Sequence, residues 1–299
     1  MGIAQAFKGL DLSGVKEILF SKYKYQRGKP GRPPNNPVGM ILSIILMLTK
    51  DYSTRDIEAF LKRDKFWRRL LGFKKKEPDH TSFSDFLERI GIETFAEVFR
   101  ILLQQLVDMG VIQSDIVAVD STIILATRND HDARWTRIRN REYSGYKIHI
   151  ICCAESELPL TLTVTPANES DCTQFISLYR SLPYTPRSVL GDAAYDTAEV
   201  RNTVVAEGYG RVYIKVNLRS NKRIKPYYSK EWCEKYKKRT AIERLNSRLK
   251  NFLHLRRMRV RGIKAVTCYA YLGCIAMLLF ALIGKLLGKS VRGIKSLLR

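Results

Sequence analysis

The feature that most constrains the fold of this chain is a change of hydrophobic period at Gly110. Before this residue, apolar side chains recur at helical spacing, as in residues 38–49, 53–73 and 95–109. After it, residues 115–122 (DIVAVDST) begin a series of short β-branched runs that are typical of strands. We therefore expect a helical region over residues 1–112, an α/β domain over residues 113–284 and a basic tail over residues 285–299.

The order of elements after Gly110 predicts the type of sheet. Three strands come first, and two helices then alternate with two further strands before a basic helix and a long apolar helix. This order is that of an α/β fold with an RNase H-like mixed sheet, in which helices are available to cover both faces. The predicted strands are residues 115–122, 143–154, 158–165, 187–192 and 211–216.

The charge of the chain predicts a polyanionic partner. The net charge is +23, and residues 217–264 alone carry 17 Lys or Arg against 3 Asp or Glu. A basic surface of this density is typical of nucleic-acid binding, with an anionic membrane as the alternative. The partner that we expect is double-stranded DNA.

An apolar run near the end of the chain bears on the membrane alternative. Residues 265–284 contain no charged side chain and are long enough to span a bilayer. They also contain Thr, Tyr, Gly and Cys, and a helix that is apolar on all sides can form the core of a domain. We expect a buried helix and a cytoplasmic, nucleoid-associated protein, since residues 1–20 show no signal-peptide pattern and reduced thiols are the default state of the six cysteines. The cysteines show no CxxC pair and no His at zinc-ligand spacing, so a structural metal is not expected.

The amino-terminal region has the pattern of a small basic helical domain. Residues 1–26 predict a short helical lead, and residues 27–37 (RGKPGRPPNNP) interrupt it. Ser53 is the expected N-cap of the helix that follows, in which apolar Ile57 and Leu61 share one face. The pattern is compatible with a helix-turn-helix, and equally with a helical bundle that has no DNA-binding role.

Three carboxylates are candidates for one metal centre. Asp120 is predicted to end the first strand and Asp192 the fourth, and these strands are neighbours in an RNase H-like sheet. Glu243 lies on the basic helix that we expect beside them. Three such acids can hold two divalent cations about 3.5 to 4 Å apart, as phosphoryl transfer requires. Oxygen ligands favour Mg²⁺, with Mn²⁺ as a substitute.

The basic helix over residues 236–250 (YKKRTAIERLNSRLK) places Glu243 among cations. On a continuous helix Tyr236, Arg239, Glu243 and Lys250 share one narrow stripe. Arg can clamp a phosphate with two hydrogen bonds, and Lys supplies a point charge. The simpler interpretation is a solvated basic helix with one ion pair.

These blocks together resemble a known family, the DDE transposases of prokaryotic insertion sequences. Tyr236, Arg239, Glu243 and Lys250 match the spacing of that family's signature helix at every position. The blocks VAVDST, GYKIHI and GDAAYDT resemble those around the first aspartate, the following strand and the second aspartate. The segment GRPPNNPVGMILSIILMLTKDYSTRDIEAFL resembles the helical domain that commonly precedes the catalytic core.

The resemblance implies roles for these residues. Asp120, Asp192 and Glu243 would bind metal, Tyr236 and Arg239 would contact phosphate at the transposon end, and Lys250 would position DNA. The protein would cleave DNA at transposon ends and join the 3′ end to target DNA, as a homodimer in the synaptic complex. Some relatives carry a β-rich insertion between the second Asp and the Glu. Only 51 positions separate Asp192 from Glu243 here, so the handling of a hairpin intermediate is not carried over.

Three further residues are weaker candidates for DNA contact. Lys147 and His149 alternate on one face of the second strand, where either DNA contact or support of the metal centre is expected, or else a solvated face. Trp135 lies in an Arg-rich segment (ARWTRIRNR), predicted as a loop, and is expected either to stack on a base or to anchor its own loop. Rival acids at 130, 132, 171 and 196 are assigned to loops and helix starts.

Two other functions fit the same fold. The first is a structure-selective DNA endonuclease that does not join ends. The second is a non-catalytic DNA-binding descendant, which the intact acids and signature helix disfavour. A membrane protein built on residues 265–284 is a more distant alternative.

Overall fold

The computed structural model describes residues 9–23, 34–113, 115–138, 140–208, 210–218 and 226–293. Contacts divide the chain into two compact units. The first comprises Met1–Leu106, Leu249–Leu255 and Lys264–Arg299, and the second comprises Val107–Arg248 and Arg256–Ile263, as far as these ranges are described. The long apolar helix thus belongs to the helical unit, whereas the sequence analysis assigned it to the α/β domain.

The first unit is helical. Its helices are α1 (Ser13–Lys22), α2 (Pro37–Lys50), α3 (Thr54–Arg63), α4 (Lys65–Leu70), most of α5 (His80–Asp108) and α10 (Ile263–Leu286). Most of the residues before α2 that were predicted as a breaker lie outside the described residues.

Capping side chains set the starts of the first unit's helices. Asn36 accepts hydrogen bonds from two backbone amides of α2, and Pro37 is the first helical residue. Ser53 and Asp56 form a capping box on α3, which confirms the predicted N-cap. The two helices predicted on either side of Gly91 are both present within α5, and Gly91, which has non-helical dihedrals (φ 75°, ψ 168°), separates them by a kink.

Helix α10 is long and apolar enough to cross a membrane by length and composition. In this structure 83% of its most apolar window is nevertheless buried inside the protein. Tyr271 packs edge-on against Phe99 of α5, and Gly273 lies so close to Leu255 that a side chain would collide with it. The predicted burial of this helix is thus confirmed, and its apolar surface forms part of the helical unit's core.

The second unit is a six-stranded mixed sheet with helices. The strands are β1 (Ile116–Leu125), β2 (Arg134–Ile138), β3 (Arg141–Cys153), β4 (Pro159–Pro166), β5 (Ser188–Gly191) and β6 (Arg211–Ile214). The helices are α6 (Asp171–Arg180), α7 (Ala198–Gly208), α8 (Lys230–Lys237) and α9 (Thr240–Ser247), followed by a π-helical turn (Arg248–Phe252).

The sheet has the predicted topology with one added strand. β3 pairs antiparallel with β1 along one edge and with β4 along the other. β5 pairs parallel with β1 and with β6, so β1 is the central strand. The added strand is β2, which pairs with the first residues of β3 where a loop was predicted. Its sequence, RWTRI, contains two arginines and a threonine and lacks the apolar signal of a buried strand.

Candidate active site

Asp120 lies within β1 and not at its end, which corrects the sequence prediction. The strand continues to Leu125, whereas the parallel pairing with β5 stops at Ala118. Asp120 therefore sits just past the point where β1 and β5 part. One of its carboxylate oxygens accepts a hydrogen bond from the backbone of Ser121 at 2.9 Å, and the other accepts one from Asn246 Nδ2 at 3.1 Å.

Asp192 follows directly after β5, as predicted. Its Oδ1 accepts a hydrogen bond from the Ala194 amide at 2.8 Å and so caps the short 3-10 turn Ala193–Tyr195. Burial and the nearby charge of Asp192 together raise the pKa of Asp120 to about 7. A cation bound here would stabilise the ionised form of Asp120, which burial and the neighbouring acid disfavour.

Glu243 is not gathered with the two aspartates in this structure. Its Oε1 accepts a hydrogen bond from Arg239 at 2.5 Å, and its side chain is half exposed. Within the part of the chain that the structure describes, no three His, Cys, Asp or Glu side chains form a metal-binding group. Arg239 also interacts electrostatically with Asp120, so a guanidinium supplies the positive charge beside the acids.

The signature segment is not the continuous helix that the sequence analysis assumed. Helix α8 ends at Lys237 and α9 begins at Thr240, because the amides around Lys238 and Arg239 bond to carbonyls three residues back. Both linking residues keep right-handed helical dihedrals, and the Arg239 guanidinium still lies over the Tyr236 ring at 5.6 Å. Lys250 falls in the π-helical turn and belongs to the first unit.

Three aromatic side chains form a stack that ends at Tyr236. The Trp232 ring lies 4.9 Å from Tyr236 at an interplanar angle of 15° and 4.1 Å from Tyr228 at 26°. Lys215 Nζ lies 5.0 Å from the centre of the Tyr236 ring. Tyr228, Trp232 and Tyr236 are spaced four residues apart, so their rings lie on one side of α8 and of the residues just before it. This spacing is visible in the sequence, but the stack was not predicted from it. The stack fixes the position of Tyr236 next to Arg239.

Lys147 and His149 support the interior and do not face solvent. Lys147 Nζ donates to Asp171 Oδ1 at 3.0 Å and to the Glu169 carbonyl at 2.7 Å. His149 is fully buried, and burial lowers its pKa to about 4, so its approach to Asp171 is not an ion pair at neutral pH. Direct DNA contact by His149 is excluded in this conformation, and Lys147 is already engaged with Asp171.

Asp171 contributes more than its predicted role at a helix start. It does lie in the first turn of α6, as predicted. Its charge is also one of those that raise the pKa of Asp120, so it lies in the same electrostatic neighbourhood. Asp171 is thereby part of the surroundings of the candidate site, with Lys147 as its counterion.

The turn between β3 and β4 holds the helix that carries Glu243. Glu157 is buried, and its two carboxylate oxygens pair with Arg244 at 2.7 Å and with Arg248 at 2.8 Å. Glu155, in the same turn, pairs with Lys238 at 3.4 Å. This clamp could not be predicted from local patterns, because the partners are more than 80 positions apart and ion pairing leaves no periodic signal.

Trp135 lies on strand β2, and its side chain is exposed. The exposed fraction is 68%, so the ring does not anchor a loop as one of the two predictions held. Asp130 and Asp132, in the segment between β1 and β2, accept hydrogen bonds from the backbone amides of Gly262 and Ile263. These two acids are therefore structural.

Comparison with known proteins identifies relatives of both parts of the chain. Residues 112–279 match the family described as Transposase DDE domain, and residues 4–89 match the family described as Transposase domain (DUF772). The chain is similar to the solved piggyBac transposase synaptic complex with hairpin DNA, with a TM-score of 0.57 and 10% identity over 97% of this chain and 77% of that chain.

A second solved structure, the Mos1 strand transfer complex, matches with a TM-score of 0.25 and 14% identity over 77% of this chain and 80% of that chain. That score is too low to argue a common fold. The similarity to the piggyBac structure extends over nearly the whole chain and confirms the predicted RNase H-like α/β architecture.

Proposed function

Because this chain belongs to the transposase DDE domain family and acts in DNA transposition, we propose that Asp120, Asp192 and Glu243 form its catalytic centre. The proposed reaction is cleavage of DNA at transposon ends and joining of the 3′ end to target DNA. The observation that supports this assignment is the proximity of Asp120 and Asp192, which both lie just past the paired part of β1 and β5, with Arg239 of the Arg239–Glu243 ion pair close to Asp120.

The residues of the centre fit a pair of divalent cations. All candidate ligands are carboxylate oxygens, which Mg²⁺ and Mn²⁺ prefer. Burial and repulsion from Asp192 raise the pKa of Asp120, and a cation at this place would relieve both penalties. When bound, the cations would activate the attacking hydroxyl and stabilise the leaving oxygen.

The side chains around the acids have distinct proposed tasks. Asn246 holds one oxygen of Asp120, which orients the carboxylate. With Glu243 as a metal ligand, Arg239 would be released from its ion pair and would bind a DNA phosphate, and Tyr236 would contact a neighbouring phosphate. Lys250 and the exposed Trp135 are further proposed DNA contacts.

The helical unit is proposed to recognise the transposon end. Its helix α3 buries Ile57 and Leu61 and exposes Arg55, Lys62 and Arg63, an arrangement suited to phosphate contacts. As functional regions we propose residues 1–112 for DNA binding, 113–284 for catalysis and 285–299 as a basic tail, with helix α10 of the catalytic region packed in the compact helical unit. Two ends require two active sites, so a homodimer in the synaptic complex of a cytoplasmic protein is proposed.

Cleavage and joining assays test the proposal. Purified protein is incubated with labelled terminal DNA and Mg²⁺, and separately with a pre-cut end and a target plasmid. The expected result is cleavage in the first reaction and joined product in the second. Asp120→Ala, Asp192→Ala and Glu243→Ala should each lose both products and retain DNA binding. Cleavage without joining would indicate an endonuclease, and cleavage by Glu243→Ala would contradict the assignment.

A further inference from the structure

An arginine-rich segment, residues 256–261 (RRMRVR), is bound along the free edge of β1. We call it the arginine strap. The amide of Leu125 donates to the carbonyl of Arg256 at 3.0 Å, and the amide of Met258 donates to the carbonyl of Leu125 at 2.9 Å. Met258 is buried, so a side chain as well as the backbone fixes the strap to the sheet.

Two carboxylates accept hydrogen bonds from the backbone just after the strap. The Gly262 amide donates to both oxygens of Asp130 at 3.2 Å, and the Ile263 amide donates to Asp132 Oδ2 at 2.9 Å. Gly262 has a φ of 84°, which a glycine adopts without strain. The two acids hold the backbone of a segment whose side chains are strongly basic.

The strap occupies the same edge of β1 as the site. The amide of Ala126 donates to the carbonyl of Ser144 on β3, so the main-chain groups of Leu125 point to the opposite edge. On that edge, β5 covers β1 up to Ala118 and the strap meets it at Leu125. Asp120 lies between the two, about 17 Å from the strap at the rise of a β-strand.

The strap presents a row of cations to solvent. The four arginines at 256, 257, 259 and 261 are exposed, whereas Met258 between them faces inward. A rigid row of guanidinium groups fits the phosphates of a nucleic-acid backbone better than a single anionic group. Main-chain hydrogen bonds to Leu125 hold the backbone of this row in place.

We propose that the arginine strap binds the phosphate backbone of duplex DNA about five base pairs from the phosphate that reacts at Asp120. In this proposal the duplex lies along β1, so the separation of about 17 Å and the rise of about 3.4 Å per base pair give the spacing. This inference rests on the proposed function, because the reacting phosphate defines the position. Asp130 and Asp132 are positioning residues, which act on DNA through the strap.

Substitution of Asp130 separates this role from simple electrostatics. If charge alone matters, removal of the Asp130 carboxylate should strengthen DNA binding, because the carboxylate repels the DNA phosphates. Asp130→Ala removes the anchor of the strap, so we expect it to weaken binding about threefold or more. Asp130→Asn removes the same charge and keeps an oxygen that accepts from Gly262, so it should bind at least as tightly as the wild type. Equal or tighter binding by Asp130→Ala would overturn the proposal.

The matched control for charge removal is Asp115→Ala. Asp115 is an exposed acid of the same unit that pairs with Arg187 and anchors no part of the strap. Binding of terminal duplex DNA is measured by fluorescence anisotropy in EDTA over a salt series. Asp115→Ala should leave affinity unchanged or slightly raised. A loss equal to that of Asp130→Ala would refute the anchoring role.

Arginine variants test the strap without touching its anchors. Arg256→Gln and Arg257→Gln should each lower the slope of log affinity against log salt by about 0.9. Neutral methylphosphonates placed in the DNA about five base pairs from the cleaved position should weaken DNA binding by the wild type. They should have little effect on DNA binding by the double variant Arg256→Gln, Arg257→Gln. Unchanged salt slopes would overturn the proposal.

Failure of the wild type to bind terminal DNA would contradict the proposed function. Binding by the strap variants that equals binding by the wild type would contradict only the role of the strap. Thermal unfolding of each variant verifies that the fold is retained.

Discussion

Replacement of Glu157 by alanine should remove the clamp between the β3–β4 turn and helix α9. The Glu157 side chain is 6% exposed, and it pairs with Arg248, whose side chain is 15% exposed, and with Arg244, whose side chain is 53% exposed. Removal of one partner of a buried ion pair costs about 3–5 kcal/mol, whereas an exposed pair contributes at most about 1 kcal/mol. The more buried Arg248 pair sets the expected loss at about 3 kcal/mol.

Differential scanning calorimetry measures this loss. A domain of this size shifts its Tm by about 2–4 °C per kcal/mol, so Glu157→Ala should lower the Tm by roughly 6–12 °C. Glu155→Ala breaks the exposed pair with Lys238 and should lower the Tm by less than about 4 °C. Equal, small shifts for the two variants would refute the conclusion that Glu157 holds α9 in place.

A backbone feature of Glu157 allows a second, independent comparison. Its φ is 58°, in the left-handed region that a side chain disfavours. Glu157→Gly loses the same ion pairs as Glu157→Ala but relieves this strain, so it should be more stable than the alanine variant by about 1 kcal/mol. A glycine variant less stable than the alanine variant would show that the dihedral carries no cost.

Three shorter predictions concern other parts of the structure. Asn246→Ala should reduce the cleavage rate at least tenfold with unchanged DNA affinity, because Asp120 loses the donor that orients it, and single-turnover kinetics measure this. Asp79 accepts bonds from the first turn of α5, which lower its pKa to about 2. The stabilisation by Asp79 is therefore present above about pH 4 and is lost as the pH falls towards 2. Asp79→Ala should be about 1 kcal/mol less stable than the wild type at pH 7. In acid unfolding experiments the difference in stability between the two proteins should vanish near pH 2. Gly145→Ala should abolish folding of the sheet, measured by circular dichroism, because its Cβ would collide with the Ile124 carbonyl oxygen.

Local patterns predicted the order of the sheet well and its irregular parts poorly. The five strands expected from β-branched runs are present, because such runs report burial in a sheet directly. The strand that carries Trp135 was missed, because it is exposed and pairs with one neighbour only. The break between α8 and α9 was missed because Lys238 and Arg239 keep helical dihedrals.

The convergence of side chains over long distances in the chain was only partly predictable. Asp192 was located because its strand is a neighbour of β1 in the predicted topology. The bond from Asn246 to Asp120 joins residues 126 positions apart, and its only local sign is that Asn246 follows Glu243 by three residues on one helix face. The Arg239–Glu243 ion pair follows the simple i, i+4 rule for helices. The family resemblance alone predicts Glu243 as a metal ligand and does not predict this ion pair.

Metal rescue of cysteine variants tests the central claim most directly. Thiolates bind Mg²⁺ poorly and softer ions such as Mn²⁺ or Cd²⁺ well, so a ligand changed to Cys should alter the metal that supports cleavage. Asp120→Cys, Asp192→Cys and Glu243→Cys should be inactive with Mg²⁺ and regain cleavage with the softer ions, whereas Asp171→Cys should show no such change of preference. A Glu243→Cys variant that cleaves equally well with Mg²⁺, or that no softer ion rescues, would contradict its role as a metal ligand.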